Sequence, residues 1–259
     1  MLGDMPLPPD IGLSSQIYPE LSLAAALELL AQRTSLVEVD SFGMHTVLSP
    51  RNRRDAVASG LRLTVHGPYG YDIDPGSRDE AARRRAIDQH RRHIEAAAEM
   101  GALVYVAHPD YVEPPGPRDP AVVDALQRTV ADLEEFQREL GVPIGMENMP
   151  GVGASHFTAP GDLELGELGL VLDCGHAAIS GTLDAFLHDS RARLIHVHLH
   201  SNWGPSDVDD PHLPLGEGVV DAAAVLAAAR AAGATVILEH LDEPSALESV
   251  AYLESHGFV

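Results

Sequence analysis

Eight short runs of apolar, mostly β-branched residues recur along this chain, and longer segments rich in Ala, Leu, Arg and Glu separate them. This alternation is typical of repeated β–α units, whose strands run parallel. The predicted strands are Ile11–Tyr18, Ser35–Asp40, Leu61–Gly67, Ala102–His108, Pro143–Asn148, Leu168–Asp173, Leu194–His200 and Thr235–His240. Eight strands in 259 residues favour a closed (β/α)8 barrel of the α/β class over a doubly wound sheet.

The segments between the runs show the spacing of helices. Leu21, Ala24, Leu27 and Leu30, for example, recur at about 3.6 residues. The predicted helices are Leu21–Arg33, Arg78–Met100, Ala121–Leu140, Val220–Ala232 and Pro244–His256. No linker rich in Pro, Gly and Ser and no shift in composition divides the chain, so we predict one domain over residues 1–259.

Composition restricts the environment of the protein. Hydrophobic residues make up 45% of the chain, but there is no run of eighteen apolar residues and no basic-then-apolar leader. We therefore expect neither a membrane span nor export. Cys174 is the only cysteine, which excludes a disulfide within the chain and suits a reducing cytoplasm.

The charge balance is strongly acidic. The chain carries 39 acidic residues against 17 basic ones, all arginine, for a net charge of -22. An acidic surface repels phosphate backbones and concentrates cations, although a salt-adapted or GC-rich source genome gives the same composition. Bound metal ions can invert the field locally, so the charge argues only weakly against nucleic acid and slightly favours a monomer.

Potential metal ligands follow nearly every predicted strand. They are Glu38, Asp40, His66, His108, Glu147, Asp173, His176, His196, His198, His200, Asp210, His212 and Glu239. Singly, each has a plain explanation: a buried histidine is usually hydrogen-bonded, and Asp40 before Ser41 suits a helix N-cap. Together at one barrel mouth they would be costly without cations. Mixed nitrogen and oxygen ligands favour zinc, manganese or iron over calcium, so we predict a metal site.

Two motifs indicate a family. Asp210-Pro-His212 precedes Leu-Pro-Leu-Gly-Glu-Gly, and Asp173-Cys-Gly-His176-Ala follows a predicted strand. Here the chain resembles the endonuclease IV family (AP endonuclease family 2) of the xylose-isomerase-like TIM barrel superfamily, from the first strand to the last. The family binds three zinc ions through nine side chains, and the matching positions are His66, His108, Glu147, Asp173, His176, His198, Asp210, His212 and Glu239.

The resemblance implies a division of these ligands among up to three divalent ions, Zn²⁺ or alternatively Mn²⁺. His66, His108 and Glu147 would hold one ion, and His176, Asp210 and His212 another. The remaining ion would be held by Glu147, Asp173, His198 and Glu239. The implied reaction is hydrolysis of a phosphodiester 5′ of an abasic site in DNA, as part of DNA repair, with Glu147 and Glu239 as the catalytic carboxylates.

Four further residues have assigned or alternative roles. His196 is expected in a deeper polar layer, and His200 is expected to line the pocket or orient a ligand. Tyr69 matches a tyrosine that the family uses near opened DNA, or packs on the rim. Trp203 stacks on a substrate ring or covers a loop.

Some positions depart from the family. The segment Ser41–Pro50 lacks the arginine that the family inserts into the duplex, and His200-Ser-Asn replaces the family's Asn-Asp pair after the ligand histidine. Arg51, Arg53 and Arg54 nearby would contact phosphate, or are solvated surface.

These departures keep two other functions open. A sugar or sugar-phosphate isomerase or epimerase of the same superfamily would need one metal, held by Glu147, Asp173, His198 and Glu239, with the two glutamates moving a proton next to a carbonyl. It would leave His108, Asp210 and His212 without a role, so we favour the hydrolase. A metal-binding barrel without catalysis is the third reading.

Overall fold

A computed structural model describes residues 6–70, 72–111, 116–151, 154–189, 193–206 and 209–259. These residues form a closed barrel of parallel strands in which each strand pairs with its neighbours in the chain and the first pairs with the last. The strands are β1 (Ile11–Ser14), β2 (Leu36–Asp40), β3 (Arg62–His66), β4 (Tyr105–Ala107), β5 (Ile144–Glu147), β6 (Gly169–Asp173), β7 (Leu194–Leu199) and β8 (Thr235–Leu238). The predicted eight-stranded barrel is therefore confirmed.

Helices surround the barrel. In the described residues they are α1 (Leu23–Leu30), α2 (Pro50–Ala58), α3 (Glu80–Met100), α4 (Pro120–Leu140), α5 (Cys174–Ile179), α6 (Leu183–Asp189), α7 (Ala222–Ala232) and α8 (Glu243–Ser255). All five predicted helices are present, and α2, α5 and α6 were not predicted. The helix α2 has few apolar residues, and α5 and α6 have only six and seven residues, too few to show a helical period.

The predicted first strand is too long. It ends at Ser14, whose hydroxyl accepts a hydrogen bond from the backbone N–H of Gln16 and starts a 3₁₀ turn. Asp40 ends β2 and caps no helix, because the next turn, Gly43–His45, has Phe42 at its N-cap position. Gln16 and Asp40 consequently both reach the barrel mouth.

The strands alternate between the barrel interior and the helical layer. In β7, Val197 and Leu199 belong to the hydrophobic cluster shared with the helices, whereas His196 and His198 face the interior. The polar residues predicted at the strand ends therefore point into one space. None of the helices among the described residues is long and apolar enough to cross a membrane.

Candidate metal centre

The first group of ligands comes from three adjacent strand ends. His66 ends β3, His108 follows β4 and Glu147 ends β5. The Nε2 atoms of the two histidines lie 3.2 Å apart, and they lie 3.4 and 3.1 Å from Glu147 Oε2. Three ligand atoms thus form a nearly equilateral triangle at the mouth.

The second group lies on the other side of the mouth. His176 is in the first turn of α5, and Asp210 and His212 are in the loop after β7. Asp210 Oδ2 is 3.2 Å from His176 Nε2 and 3.6 Å from His212 Nε2. The three side chains therefore converge in the way that the resemblance predicts.

The loop after β7 is held in place by main-chain and side-chain contacts. Ser201 and Leu213 exchange two backbone hydrogen bonds of 3.0 and 2.7 Å, which fold the loop back over the barrel. The Asn202 amide donates to Asp210 Oδ1 at 3.0 Å. Among the described residues, Asp210 and His212 are the non-glycine residues with positive φ, 40° and 48°. Such backbone is unfavourable and is found where the surrounding structure imposes it, often at functional sites.

His198 stands between the two groups. Its Nδ1 atom is 3.3 Å from Glu147 Oε1, 3.2 Å from Glu239 Oε2 and 3.8 Å from Asp173 Oδ2. The structure thus brings together the four residues expected to hold the central ion. All nine predicted ligands lie at this mouth.

The histidine rings are oriented by main-chain carbonyls. His66 Nδ1 lies 2.9 Å from the Gly67 oxygen, His176 Nδ1 lies 2.9 Å from the Asn148 oxygen and His212 Nδ1 lies 3.1 Å from the Glu239 oxygen. A carbonyl only accepts, so Nδ1 carries the proton and the Nε2 lone pair is directed at the ligand group. This is the usual outer-shell arrangement of metal-binding histidines.

The electrostatics of the mouth favour added positive charge. Burial alone would lower the pKa of His66 and His176, but Glu147 raises the former to about 10, and Asp173 and Asp210 raise the latter to about 10. Two carboxylate oxygens, Glu147 Oε2 and Asp210 Oδ2, are buried without a hydrogen bond. Each is the shared vertex of one ligand group, and an unsatisfied buried carboxylate is costly.

These observations fit divalent metal ions. Imidazole nitrogens and buried carboxylates meet at distances suited to sharing a cation, which would displace the second proton that the raised pKa values of His66 and His176 otherwise retain. The donor set is one that zinc and manganese accept. The predicted ligands that lie in these groups are His66, His108, Glu147, Asp173, His176, His198, Asp210, His212 and Glu239. Glu38, His196 and His200 also belong to groups whose atoms are close enough to hold an ion.

A polar layer lies beneath the ligands, as expected for His196. Its Nδ1 is 2.6 Å from Thr235 Oγ1, and its Nε2 is 3.0 Å from Glu38 Oε2. The other Glu38 oxygen lies 3.0 Å from His198 Nε2, although the N–H is not aligned for a hydrogen bond. The sequence predicts Glu38 as one of the potential strand-end ligands, and the structure places it behind the ligand histidine His198.

His200 orients a ligand rather than joining a group through its Nε2 atom. That atom is 3.1 Å from both Asp173 oxygens, and its ring stacks on His212 at 3.9 Å. The contact requires glycine at position 175, since a Cβ there would lie 2.0 Å from the His200 ring. Cys174 is buried and belongs to the hydrophobic core.

Two cavities adjoin the ligands. A small inner cavity of about 120 Å³ is lined by six of the ligands together with Gln16, Asp40 and Tyr69. An outer cavity of about 430 Å³ continues past Tyr69, and Ile73, Met149 and Leu241 contribute to its walls. The mouth therefore offers a metal-lined floor and a wider, more apolar entrance.

Tyr69 lies against the first ligand group. Its ring stacks on His108 with centroids 5.3 Å apart and contacts the edge of His66 at 5.2 Å. Trp203, by contrast, is 54% exposed in the loop after β7 and does not line either cavity in the described part of the chain. Its predicted contact with substrate remains a prediction.

The arginines that follow β2 make intramolecular contacts. Arg53 pairs with Glu99 at 2.6 Å and donates to the carbonyls of Val47 and Leu48, and Arg51 lies 3.5 Å from Asp55. His45 is buried against Ser15 and Leu21. Arg53 is thereby committed to the protein, which reduces the positive charge that this loop offers to a phosphate backbone.

Comparison with known proteins places this geometry in a family. A sequence model described as xylose isomerase-like TIM barrel matches residues 44–256. The chain belongs to this family. A probable endonuclease 4 of Mycobacterium leprae is 31% identical over 214 residues, 75% of this chain and 80% of that protein. An uncharacterized protein of Methanocaldococcus jannaschii is 32% identical over 217 residues, 82% of this chain and 84% of the relative.

The solved structures of this family give a second comparison. A D-tagatose 3-epimerase-like protein superposes with a TM-score of 0.83 and 28% identity, over 96% of this chain and 97% of that one. Relatives named as endonucleases and a structure named as epimerase-like therefore share this barrel. These names cover different reactions, so a shared barrel does not fix the reaction of this chain.

Proposed function

We propose that this chain is a metal-dependent phosphodiester hydrolase of the endonuclease IV type, with abasic-site DNA as the substrate to test first. The group His176, Asp210 and His212 carries the proposal. A single-metal isomerase could use His176 as a substrate contact but has no role for Asp210 and His212, yet the chain holds both at positive φ beside His176. His108 adds a third ligand to the other group, which an isomerase also leaves without a role.

Divalent ions held in these groups would supply an activated water and neutralise charge on the phosphate. The residues of the chain position that chemistry. Glu147 faces both the first group and His198, so it is placed to connect neighbouring ions. Glu239 completes the central set, and Tyr69 covers the first group at the entrance to the outer cavity.

The proposal is tested by cleavage of a duplex oligonucleotide that contains one abasic site. His212→Ala should lose about one metal ion per chain and reduce cleavage by at least 100-fold, since it opens the second group. His188→Ala is the matched control, because His188 is exposed on α6. Full cleavage by His212→Ala, or cleavage with no dependence on metal, would contradict the proposal.

A second candidate is a sugar or sugar-phosphate isomerase or epimerase. Glu147 and Glu239 lie 3.3 and 3.2 Å from His198 Nδ1, so both carboxylates are near the position of a single metal and could act as an acid–base pair beside it. The epimerase-like structure at 28% identity supports it. In that case His212→Ala would leave the metal content unchanged.

We also propose that the protein acts in the cytoplasm as a monomer, on the basis of its single buried cysteine and acidic charge.

A further inference from the structure

The inner cavity has one wall that the metal ligands do not build. Gln16 from the turn after β1, Asp40 from the end of β2 and Tyr69 from the loop after β3 line it side by side. In barrel order these three positions are neighbours, and His176 and His212 lie on the far side of the same cavity. Anything bound at the metal floor would also touch this wall.

Asp40 is the residue of this wall that needs an explanation. Only 8% of its surface is exposed, and its Oδ1 atom is buried without a hydrogen-bond partner. Its backbone is fixed, because its N–H donates to Ser15 Oγ at 3.0 Å and its Cα pairs in register with that of His66. A buried acceptor without a partner is costly, so it is retained where a ligand supplies the partner.

The chemistry of this wall selects its ligand. A carboxylate only accepts hydrogen bonds. A phosphodiester oxygen also only accepts them, so the Asp40 carboxylate would repel it. A hydroxyl group donates to a carboxylate and accepts from an amide such as that of Gln16. We infer that Gln16, Asp40 and Tyr69 form a subsite that binds a hydroxyl group of the substrate, with Asp40 Oδ1 as its acceptor.

This inference deepens the proposed function, because it assumes that the substrate lies at the metal floor. It makes Asp40 a residue that determines specificity: the substrate carries a hydroxylated sugar moiety beside the group that reacts. Either a free polyol or sugar, or the C1 hydroxyl of an abasic deoxyribose within DNA, would supply this hydroxyl.

Two binding measurements on the metal-loaded protein separate these sources. The first titrates xylitol by calorimetry. The second compares an oligonucleotide carrying a natural abasic site with one carrying the tetrahydrofuran analogue, which lacks the C1 hydroxyl. Both use wild type, Asp40→Ala, Asp40→Asn and the control Asp88→Ala, whose side chain is exposed on α3. Elemental analysis of each variant establishes that metal content is equal.

We expect Asp40→Ala to weaken either the binding of xylitol or the binding of the oligonucleotide with the natural abasic site by about 10- to 100-fold. This is the usual effect of a hydrogen bond to a charged group. Loss of xylitol binding identifies a free polyol. Loss of the preference for the natural abasic site over the analogue identifies DNA. Asp40→Asn keeps an acceptor oxygen and should lose less than Asp40→Ala.

Three results would overturn the subsite. The first is that neither the binding of xylitol nor the preference between the oligonucleotides responds to Asp40→Ala. The second is that wild type binds no xylitol and does not distinguish the two oligonucleotides, and the third is that Asp40→Ala loses metal. The failure of the proposed function is a separate result. Wild type that binds xylitol through Asp40 but cleaves no phosphodiester would refute the hydrolase and retain the subsite.

Discussion

Glu38 shows how a residue behind the ligands contributes to the site. It is fully buried and accepts a hydrogen bond from Thr64 Oγ1 at 3.0 Å, while its two oxygens face His196 and His198. Burial alone would raise its pKa, but the two histidines hold the pKa well below its usual range. Glu38 therefore stays ionised and favours a proton on His198 Nε2, which directs the Nδ1 lone pair at the central carboxylates.

The substitution Glu38→Gln tests whether Glu38 orients His198. The glutamine amide keeps the shape of the glutamate side chain, but its NH₂ group places a hydrogen-bond donor against the N–H group of either His196 or His198. We expect the affinity of the central site for Zn²⁺ to fall by about 10- to 100-fold, the usual cost of losing an outer-shell partner. Competition with a coloured chelator measures it, and an unchanged affinity would show that Glu38 does not orient His198.

The sequence predicts which residues are candidate ligands better than it predicts what surrounds each of them in the structure. Six of the nine candidate ligands converge because they stand at or next to a strand end, and strand ends of a parallel barrel meet at one mouth. The other three lie in α5 (His176) and in the loop after β7 (Asp210 and His212), and these segments bring them to the same mouth. Glu38 and Asp40 also stand at a strand end, but the pattern of β2 does not show which is buried behind a histidine and which lines a cavity. That difference depends on depth in the barrel, which only the packed structure fixes.

At the scale of elements, α3 docks on the barrel through a buried histidine. His90 Nδ1 lies 2.8 Å from the hydroxyl of Tyr105 in β4. Burial raises the pKa of Tyr105, so its hydroxyl remains protonated, and burial lowers the pKa of His90 to about 3. His90 is therefore neutral in the folded protein.

This contact predicts acid sensitivity. The unfolded chain takes up a proton on His90 below pH 6.5 and the folded protein does not until about pH 3, so stability is present above pH 6.5 and lost as the pH falls. Between pH 7 and pH 5 the loss is about 2 kcal/mol. His90→Gln should remove this component of the change in unfolding free energy in urea, and the exposed control His188→Gln should not. Equal pH slopes for wild type and His90→Gln would contradict the assignment.

The strands and long helices were predictable because their apolar patterns are long and periodic, as in α4. The element α5 was not, because it has six residues and begins where Asp173 accepts from the backbone N–H of His176 at 2.7 Å. The Asp173 carboxylate is also a proposed metal ligand, so the sequence around it indicates a metal-binding motif and not the start of a helix. The loop after β7 was predicted only as long and polar, and its return to the mouth depends on the Ser201–Leu213 bridge.

On the scale of the whole molecule, the acidic charge and the metal centre are linked. The net charge is -22, and Glu38, Glu147, Asp173 and Glu239 are buried together with histidines at one end of the barrel. Removal of cations would leave these carboxylates to be neutralised by protons on the histidines alone. Metal binding should therefore contribute substantially to the stability of the fold.

Removal of metal gives the corresponding prediction. Exhaustive dialysis against a chelator should lower the midpoint of thermal unfolding by about 10 °C, from a few kcal/mol of binding energy in a chain of this size. Readdition of Zn²⁺ or Mn²⁺ should restore it, as followed by scanning calorimetry. An unchanged midpoint after confirmed removal would show that the carboxylate cluster is stable without cations.

The number of metal ions per chain tests directly whether the barrel mouth holds a multinuclear metal centre. Protein purified without chelators would be analysed for its elements, before and after soaking in excess Zn²⁺ or Mn²⁺ and removal of the unbound ion. We predict about three ions per chain, one for each of the two outer groups and one for the central set around His198. About one ion per chain, with no gain after soaking, would contradict the multinuclear centre and favour the isomerase.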